Sequence, residues 1–313
     1  MVKIRRKVIQ IAGSTQLVSL PREWAKKRGI KKGDELDIEE KNNSLIISTE
    51  IVKEPKKIVI HNSKYGRFHR NYLSAAYKLG YDEIDIRFDD KKTMDMIHER
   101  VPSCIGLEIV NQGQDFCQIK AISEVAYKEF EQVLRKLFLL MKTMQDNSLA
   151  ILEEQKVERL EELLILEVTN NKLTDFCKRV LNTRGYTRND KVFAVYLLVT
   201  ELERIADVYK HLFRFLIGKK IKIRDKTIRY YGEINEMFSQ FYELYYKYDK
   251  NKIEFIYEEH AKLKTALIDE MINGAKEEIM VFHSLNSALE LIYEMTNVYF
   301  EINLESDEKK EII

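Results

Sequence analysis

All three prolines of this 313-residue chain, Pro21, Pro55 and Pro102, lie in its first third, and residues 103–313 contain none. Proline removes a backbone donor and clashes with the preceding helical turn, so a long stretch without it is natural territory for continuous helix. The glycines divide the same way: seven of eleven precede residue 114, leaving Gly185, Gly218, Gly232 and Gly274 to punctuate the remaining two-thirds of the chain. From Ser123 onward apolar residues recur at helical spacing, as in Val133, Leu137, Leu140, Met141 and Met144, or Leu198, Leu202, Ile205, Val208 and Leu212. The pattern predicts six helices, near 123–147, 150–182, 190–217, 226–249, 252–273 and 276–304. Long helices joined by short connectors read as two tandem three-helix bundles, over 123–220 and 221–313.

The front of the chain has a different pattern. Lys7 to Ile11 and Gln16 to Leu20 are two β-prone runs flanking Gly13-Ser14-Thr15. Pro21 and Gly29 then bracket a helix of about two turns, with proline at its first position. After a Gly33-Asp34 turn, Leu36 to Glu39 and Leu45 to Ser48 form a hairpin around Asn42-Asn43. A β-rich unit over 1–52 buries too little surface to be secure alone, and pairing with a second copy is the usual remedy. Residues 53–122 alternate strand and helix, as a small α/β connector with strands at 57–61, 83–88, 107–111 and 116–122 and helices at 68–79 and 91–99. The fold class is therefore mainly α with a small β-rich N-terminal domain.

Composition is that of a folded soluble protein, 45% apolar and 33% charged, but the net charge of +1 conceals an asymmetry. Met1 to Lys32 carries ten Lys or Arg and one acid, whereas Gly33 to Glu50 carries six acids and one base. Arg5, Arg6 and Lys7 cluster at a strand entrance, and Arg22, Lys26, Lys27 and Arg28 lie on or beside the short helix. Clustered Lys and Arg suit a phosphate backbone through counterion release, while most basic runs are simply solvated surface. Aromatic residues are absent from 1–23, which favours duplex backbone contact over single-strand stacking.

The segment Ala12-Gly13-Ser14-Thr15-Gln16-Leu17-Val18-Ser19-Leu20-Pro21-Arg22-Glu23-Trp24, with Gly29-Ile30-Lys31-Lys32-Gly33-Asp34-Glu35-Leu36-Asp37-Ile38, resembles the AbrB/SpoVT family of DNA-binding domains. It keeps the family's order of valine strand, Leu-Pro, short helix, Gly-x-x-x-Gly-Asp and acidic strand. The resemblance implies a swapped-hairpin β-barrel dimer whose interlocked strands present basic residues to double-stranded DNA. Family members also include antitoxins.

A second constellation falls in the third long helix, where Glu203, Asp207 and His211 are spaced i, i+4, i+8. The preceding helix offers Glu167, Asn171 and Asp175 at the same spacing. Oxygen-rich ligands of this kind suit divalent or iron-type metal ions, and a histidine shifts preference toward transition metals. Acidic i, i+4 pairs are also common on solvated helices, and Arg204 or Lys210 beside them would make ordinary salt bridges. Leu202-Glu203-Arg204-Ile205-Ala206-Asp207 resembles the signature of PhoU, the phosphate-uptake regulator family of two repeated three-helix bundles with Glu/Asp-x-x-x-Asp motifs. That resemblance makes Glu290 and Glu294 the second-repeat counterparts, although Asn171 replaces an acid of the family's pattern.

No nucleotide-binding glycine loop, nucleophile elbow or metalloprotease motif is present, and Cys177 falls in an apolar register as a structural thiol. The expectation is a protein that is not an enzyme. Three cysteines without Cys-x-x-Cys spacing and no apolar run long enough to span a bilayer fit a cytoplasmic protein. Two functions fit these features. The first is a DNA-binding transcriptional regulator of phosphate uptake with a PhoU-like sensing domain, acting as a homodimer. The alternative is an adaptor, dimerised by its N-terminal domain, that docks on a phosphate transporter or signalling kinase.

Overall fold

The computed structural model describes residues 4–11, 13, 15–41, 44–48, 55–61, 69–122, 129–186 and 189–304. The chain forms two compact units, Met1–Pro55 and Lys56–Ile313. In the first, β1 (Val8–Ile11) and β2 (Thr15–Val18) pair antiparallel with Ile9 opposite Leu17. Helix α1 (Arg22–Lys27) comes next, and a second hairpin joins β3 (Asp37–Lys41) to β4 (Ser44–Ser48) with Ile38 opposite Ile47. The Asn42-Asn43 turn lies outside the described residues. Pro21 caps α1 rather than occupying its first turn, its carbonyl accepting from the Ala25 amide at 3.0 Å. Gly29, at φ +67°, ends the helix in a left-handed conformation that lets the Ile30 amide reach back to the Ala25 carbonyl.

None of the described residues of this unit is buried. Val8, Ile9, Ile11, Leu17, Val18, Ile38 and Leu45 are all between 45% and 68% exposed, so the described residues give these β-branched and aliphatic side chains no core to pack on.

The second unit opens with a four-stranded sheet in the order β5-β6-β8-β7, formed by Lys57–His61, Glu83–Arg87, Phe116–Ala121 and Leu107–Gln112. β5 and β6 are parallel and the other pairings antiparallel. Helices α2 (His69–Lys78) and α3 (Lys91–Arg100) complete this α/β segment, whose core gathers Leu73, Tyr77, Ile84, Ile86, Ile97 and Ile119. Alternation along β6 and β8 puts Ile84, Ile86, Cys117 and Ile119 inside.

Six long helices complete the unit: α4 (Phe130–Glu153), α5 (Leu164–Arg184), α6 (Val192–Lys219), α7 (Asp225–Tyr246), α8 (Lys250–Asn273) and α9 (Ile279–Asn303). Neighbours pack within the triplets α4-α5-α6 and α7-α8-α9, and α6 against α9 and α4 against α7 join the triplets around one continuous apolar core. Phe138 of α4 meets Phe238, Phe241, Tyr242 and Tyr245 of α7 at ring-centroid distances of 5.2 to 6.2 Å. At the same seam Gln145 donates to the Tyr209 hydroxyl, Tyr209 donates to Asn235, and Asn235 donates to the Gln145 carbonyl, all at 2.7 to 3.0 Å. A buried polar ring of this kind fixes the register of the two triplets.

Two boundary expectations change. The second helix does not run from residue 150: α4 continues to Glu153, Gln155 turns the chain at φ +57°, and a 3-10 segment over Val157–Leu163 leads into α5. The Gln155 side chain binds both the amide and the carbonyl of Ile223, and this long-range pair accompanies a turn that no glycine or proline marks. Gly185 and Gly274 do terminate α5 and α8, but Gly218 and Gly232 lie inside α6 and α7. Gly232 sits where a Cβ would make an ordinary 3.5 Å contact with Leu149 of α4, and α7 runs through it unbroken.

Gly80, just after α2, combines φ +80° with a position where a Cβ would fall 2.1 Å from Cγ2 of Thr183. Gly80→Ala is therefore expected to lower the stability of the full-length protein by about 1–3 kcal/mol in chemical denaturation, from left-handed strain plus the clash. Adding Thr183→Ser, which removes that methyl, should return part of the loss but leave the backbone strain.

Candidate functional site

In the first unit, Arg5, Arg6 and Lys7 lie in the extended segment entering β1, all exposed. Arg22, Lys26 and Lys27 are on α1 and Arg28 caps it, again exposed. Among the described residues no acid pairs with any of these seven. The neighbouring Asp34 is engaged locally, accepting from the Lys31 amide at 2.7 Å in the turn that leads to β3. The structure thus provides two cation clusters unneutralised by any described residue, one on a strand entrance and one on a helix, in a unit whose described residues form no core of their own.

The helical stripes take a different form. Glu203 of α6 accepts from Lys178 of α5 at 2.5 Å, and Lys178, 6% exposed at its side chain, also lies over the Tyr196 ring. Asp207 accepts from Lys210, which also donates to the buried Glu167 of α5 at 2.7 Å. Asn171 donates to the same Glu167 oxygen. Lys210 therefore ties Glu167 and Asp207 together. Burial works against its charge, but its hydrogen bonds to Asp207 and Glu167 outweigh that and hold the ammonium above the ordinary lysine pKa.

The third member of each stripe departs. Each four-residue step rotates an α-helix by roughly 40°, so i+8 points about 80° away from i. Asp175 accordingly turns to the α/β segment, where Arg100 at the end of α3 and Lys78 at the end of α2 pair with it. His211 is exposed. Arg204 also serves elsewhere, donating to the buried Glu201 at 2.9 and 3.0 Å. Burial raises the Glu201 carboxyl pKa, Arg204 opposes the shift, and Glu294 of α9 adds to it.

In the second triplet Glu290 lies within 2.9 Å of the Lys264 ammonium and 3.2 Å of Nε2 of His260, both on α8, while Glu294 is exposed. The His260 ring stacks on Tyr293 with centroids 3.9 Å apart. Among the described residues no three His, Cys, Asp or Glu side chains converge on a common point as a metal would require. Glu203, Asp207, Glu167, Asp175 and Glu290 are each held instead by lysine or arginine, so the residues as arranged do not fit a metal centre.

Sequence reasoning named Lys210 as a salt-bridge partner but passed over Lys178 and Arg179. Arg179, also buried, donates to the carbonyls of Tyr77 and Tyr81 and to Asp82 at 2.8 to 2.9 Å, closing the C-terminal end of α2 from across the fold. The only local signal is a Lys-Arg pair interrupting the apolar run Phe176-Cys177 and Val180-Leu181. Lys210→Met should lower stability by roughly 2–4 kcal/mol at neutral pH, because Glu167 would be left buried without its ammonium. A lysine whose pKa is raised on folding contributes fully below the unfolded value of 10.5 and loses that contribution as pH climbs through the higher folded value. Urea titrations across alkaline pH should show this loss in the natural chain and a flatter profile in the variant.

A family model described as "Antidote-toxin recognition MazE, bacterial antitoxin" matches residues 9–60, which include both hairpins and α1. Comparison with curated proteins and with solved structures found no match. No helix among the described residues is long and apolar enough to cross a membrane.

Proposed function

We propose that the chain is a DNA-binding transcriptional regulator whose N-terminal unit acts as an interlaced homodimer. The observation that carries this reading is the coincidence, among the described residues of one small unit, of seven cations without an acidic partner and no buried side chain. Exposed Ile9, Leu17, Ile38 and Leu45 need a second copy to become a core, and the same association doubles the cations to fourteen along one assembly. The match to an antitoxin-type domain over residues 9–60 supports the same reading.

The helical unit is proposed to sense or relay, in phosphate homeostasis, on the strength of the PhoU-like Leu202 to Asp207 segment and the two helix triplets. Binding of a small molecule or protein there would bias the placement of the two DNA-binding halves. The name of the matched family favours a second reading in which the N-terminal unit also recognises a toxin protein. The adaptor role, with docking on a phosphate transporter or signalling kinase, requires no DNA contact at all.

These readings separate in a gel-retardation experiment with the full-length chain. Duplex DNA should be retarded in a salt-dependent way, and changing Arg5, Arg6 and Lys7 to Ala should reduce the slope of log affinity against log salt by up to about 5, the share of six phosphate contacts in a dimer. A natural chain that leaves duplex DNA unretarded in dilute buffer would remove the DNA reading, and retardation unchanged in that variant and in one lacking the α1 cations would remove these two clusters as the contact. Ile9→Asp with Leu17→Asp should leave the protein monomeric in sedimentation and abolish retardation, because two charges facing each other on one exposed hairpin face cannot be buried against a partner.

A further inference from the structure

Several carboxylates of the helical unit are met by basic side chains from a neighbouring helix. In the first triplet Lys178 of α5 meets Glu203 of α6, and Lys210 of α6 bridges back to Glu167 of α5 while holding Asp207. In the second, His260 and Lys264 of α8 meet Glu290 of α9. The pattern is the same both times: a basic residue on the middle helix takes the leading carboxylate of the stripe on the last helix, Glu203 or Glu290.

We propose that Lys178 and Lys210 are built-in cations that take the place of a divalent ion between α5 and α6, making the helical unit independent of metal. Lys178 and Glu167 are among the buried residues, so neither can turn into solvent to vacate the site without losing its compensation. Glu203, Asp207 and Glu167 carry three negative charges against two ammonium groups, which leaves a single net negative charge. A divalent ion entering here would meet two positive neighbours at contact range and would compete with hydrogen bonds already made at 2.5 to 2.7 Å. Glu167 also commits one of its two oxygens to Asn171 and Lys210 together, which fills that oxygen's lone pairs. The inference stands on the helical unit alone and does not depend on DNA binding.

The test uses the full-length protein, stripped with chelator and then dialysed separately against magnesium, manganese, zinc and, without air, ferrous iron. Bound metal is measured by mass spectrometry after desalting, and the melting temperature is recorded with and without each ion. The natural chain is expected to retain sub-stoichiometric metal and an unchanged melting temperature. Stoichiometric metal that disappears in Glu203→Ala with Asp207→Ala would overturn the proposal. In Lys178→Asn with Lys210→Asn, which supplies neutral oxygen ligands where the ammonium groups stood, manganese should raise the melting temperature, or should be required for refolding if the variant does not fold without it. A variant indifferent to every ion, folded or not, would overturn the claim that the lysines are what exclude metal.

Discussion

Helix α5 carries Glu167, Asp175, Lys178 and Arg179 with each residue no more than 5% exposed, and the second unit depends on how these charges are compensated. Burying an ion is costly unless a partner of opposite charge and enough hydrogen bonds replace the lost water. Here every partner comes from a different element: Lys210 of α6 for Glu167, Arg100 and Lys78 for Asp175, Glu203 of α6 for Lys178, and the end of α2 with Asp82 for Arg179. The arrangement leaves α5 little freedom, because a slip of one turn would strand several charges at once. It also makes the α/β segment and the helices one body, since Arg100, Asp175, Arg179 and the close contact of Gly80 with Thr183 all lie on the boundary between them.

The first unit is stabilised in the opposite way. Its hairpins have good cross-strand pairs, Ile9 with Leu17 and Ile38 with Ile47, but no layer behind them among the described residues. Two-stranded hairpins are marginal in water without a face to pack on. Strongly β-prone side chains therefore stay exposed in a single copy, which is the basis of the proposed pairing with a second one.

Much of this was legible in the residues. Absence of proline after Pro102 and the 3.6-residue apolar spacing located all six long helices, and Gly13, Gly29 and Gly33 marked the turns of the β unit because its backbone needs positive φ there. The features that escaped depend on partners distant in sequence. Gln155 breaks the chain between α4 and α5, and its side-chain partner Ile223 is far along the chain. Gly232 reads as a stop, yet α7 continues through it. The acidic stripes were found as spacings, but spacing cannot say that an i+8 member has rotated off the face or that Lys178 waits on the neighbouring helix. Asp175 and His211 were misplaced for the first reason, and Lys178 was missed for the second, although Lys210 was legible as a salt-bridge partner.

The chain therefore uses the same residue types for two unlike physical tasks. Cations of the first unit are solvated and meet no described acid, so their attraction for a polyanion is strong in dilute buffer and fades as counterions accumulate. Cations of the second unit's clasp are paired and largely withdrawn from water, where mobile ions screen them far less. On the proposed DNA-binding reading salt should act selectively, loosening that contact while leaving the lysine clasp of α5 and α6 intact. A protein built this way can release a polyanionic partner without unfolding its helical unit, because the two sets of charges sit in different dielectric surroundings.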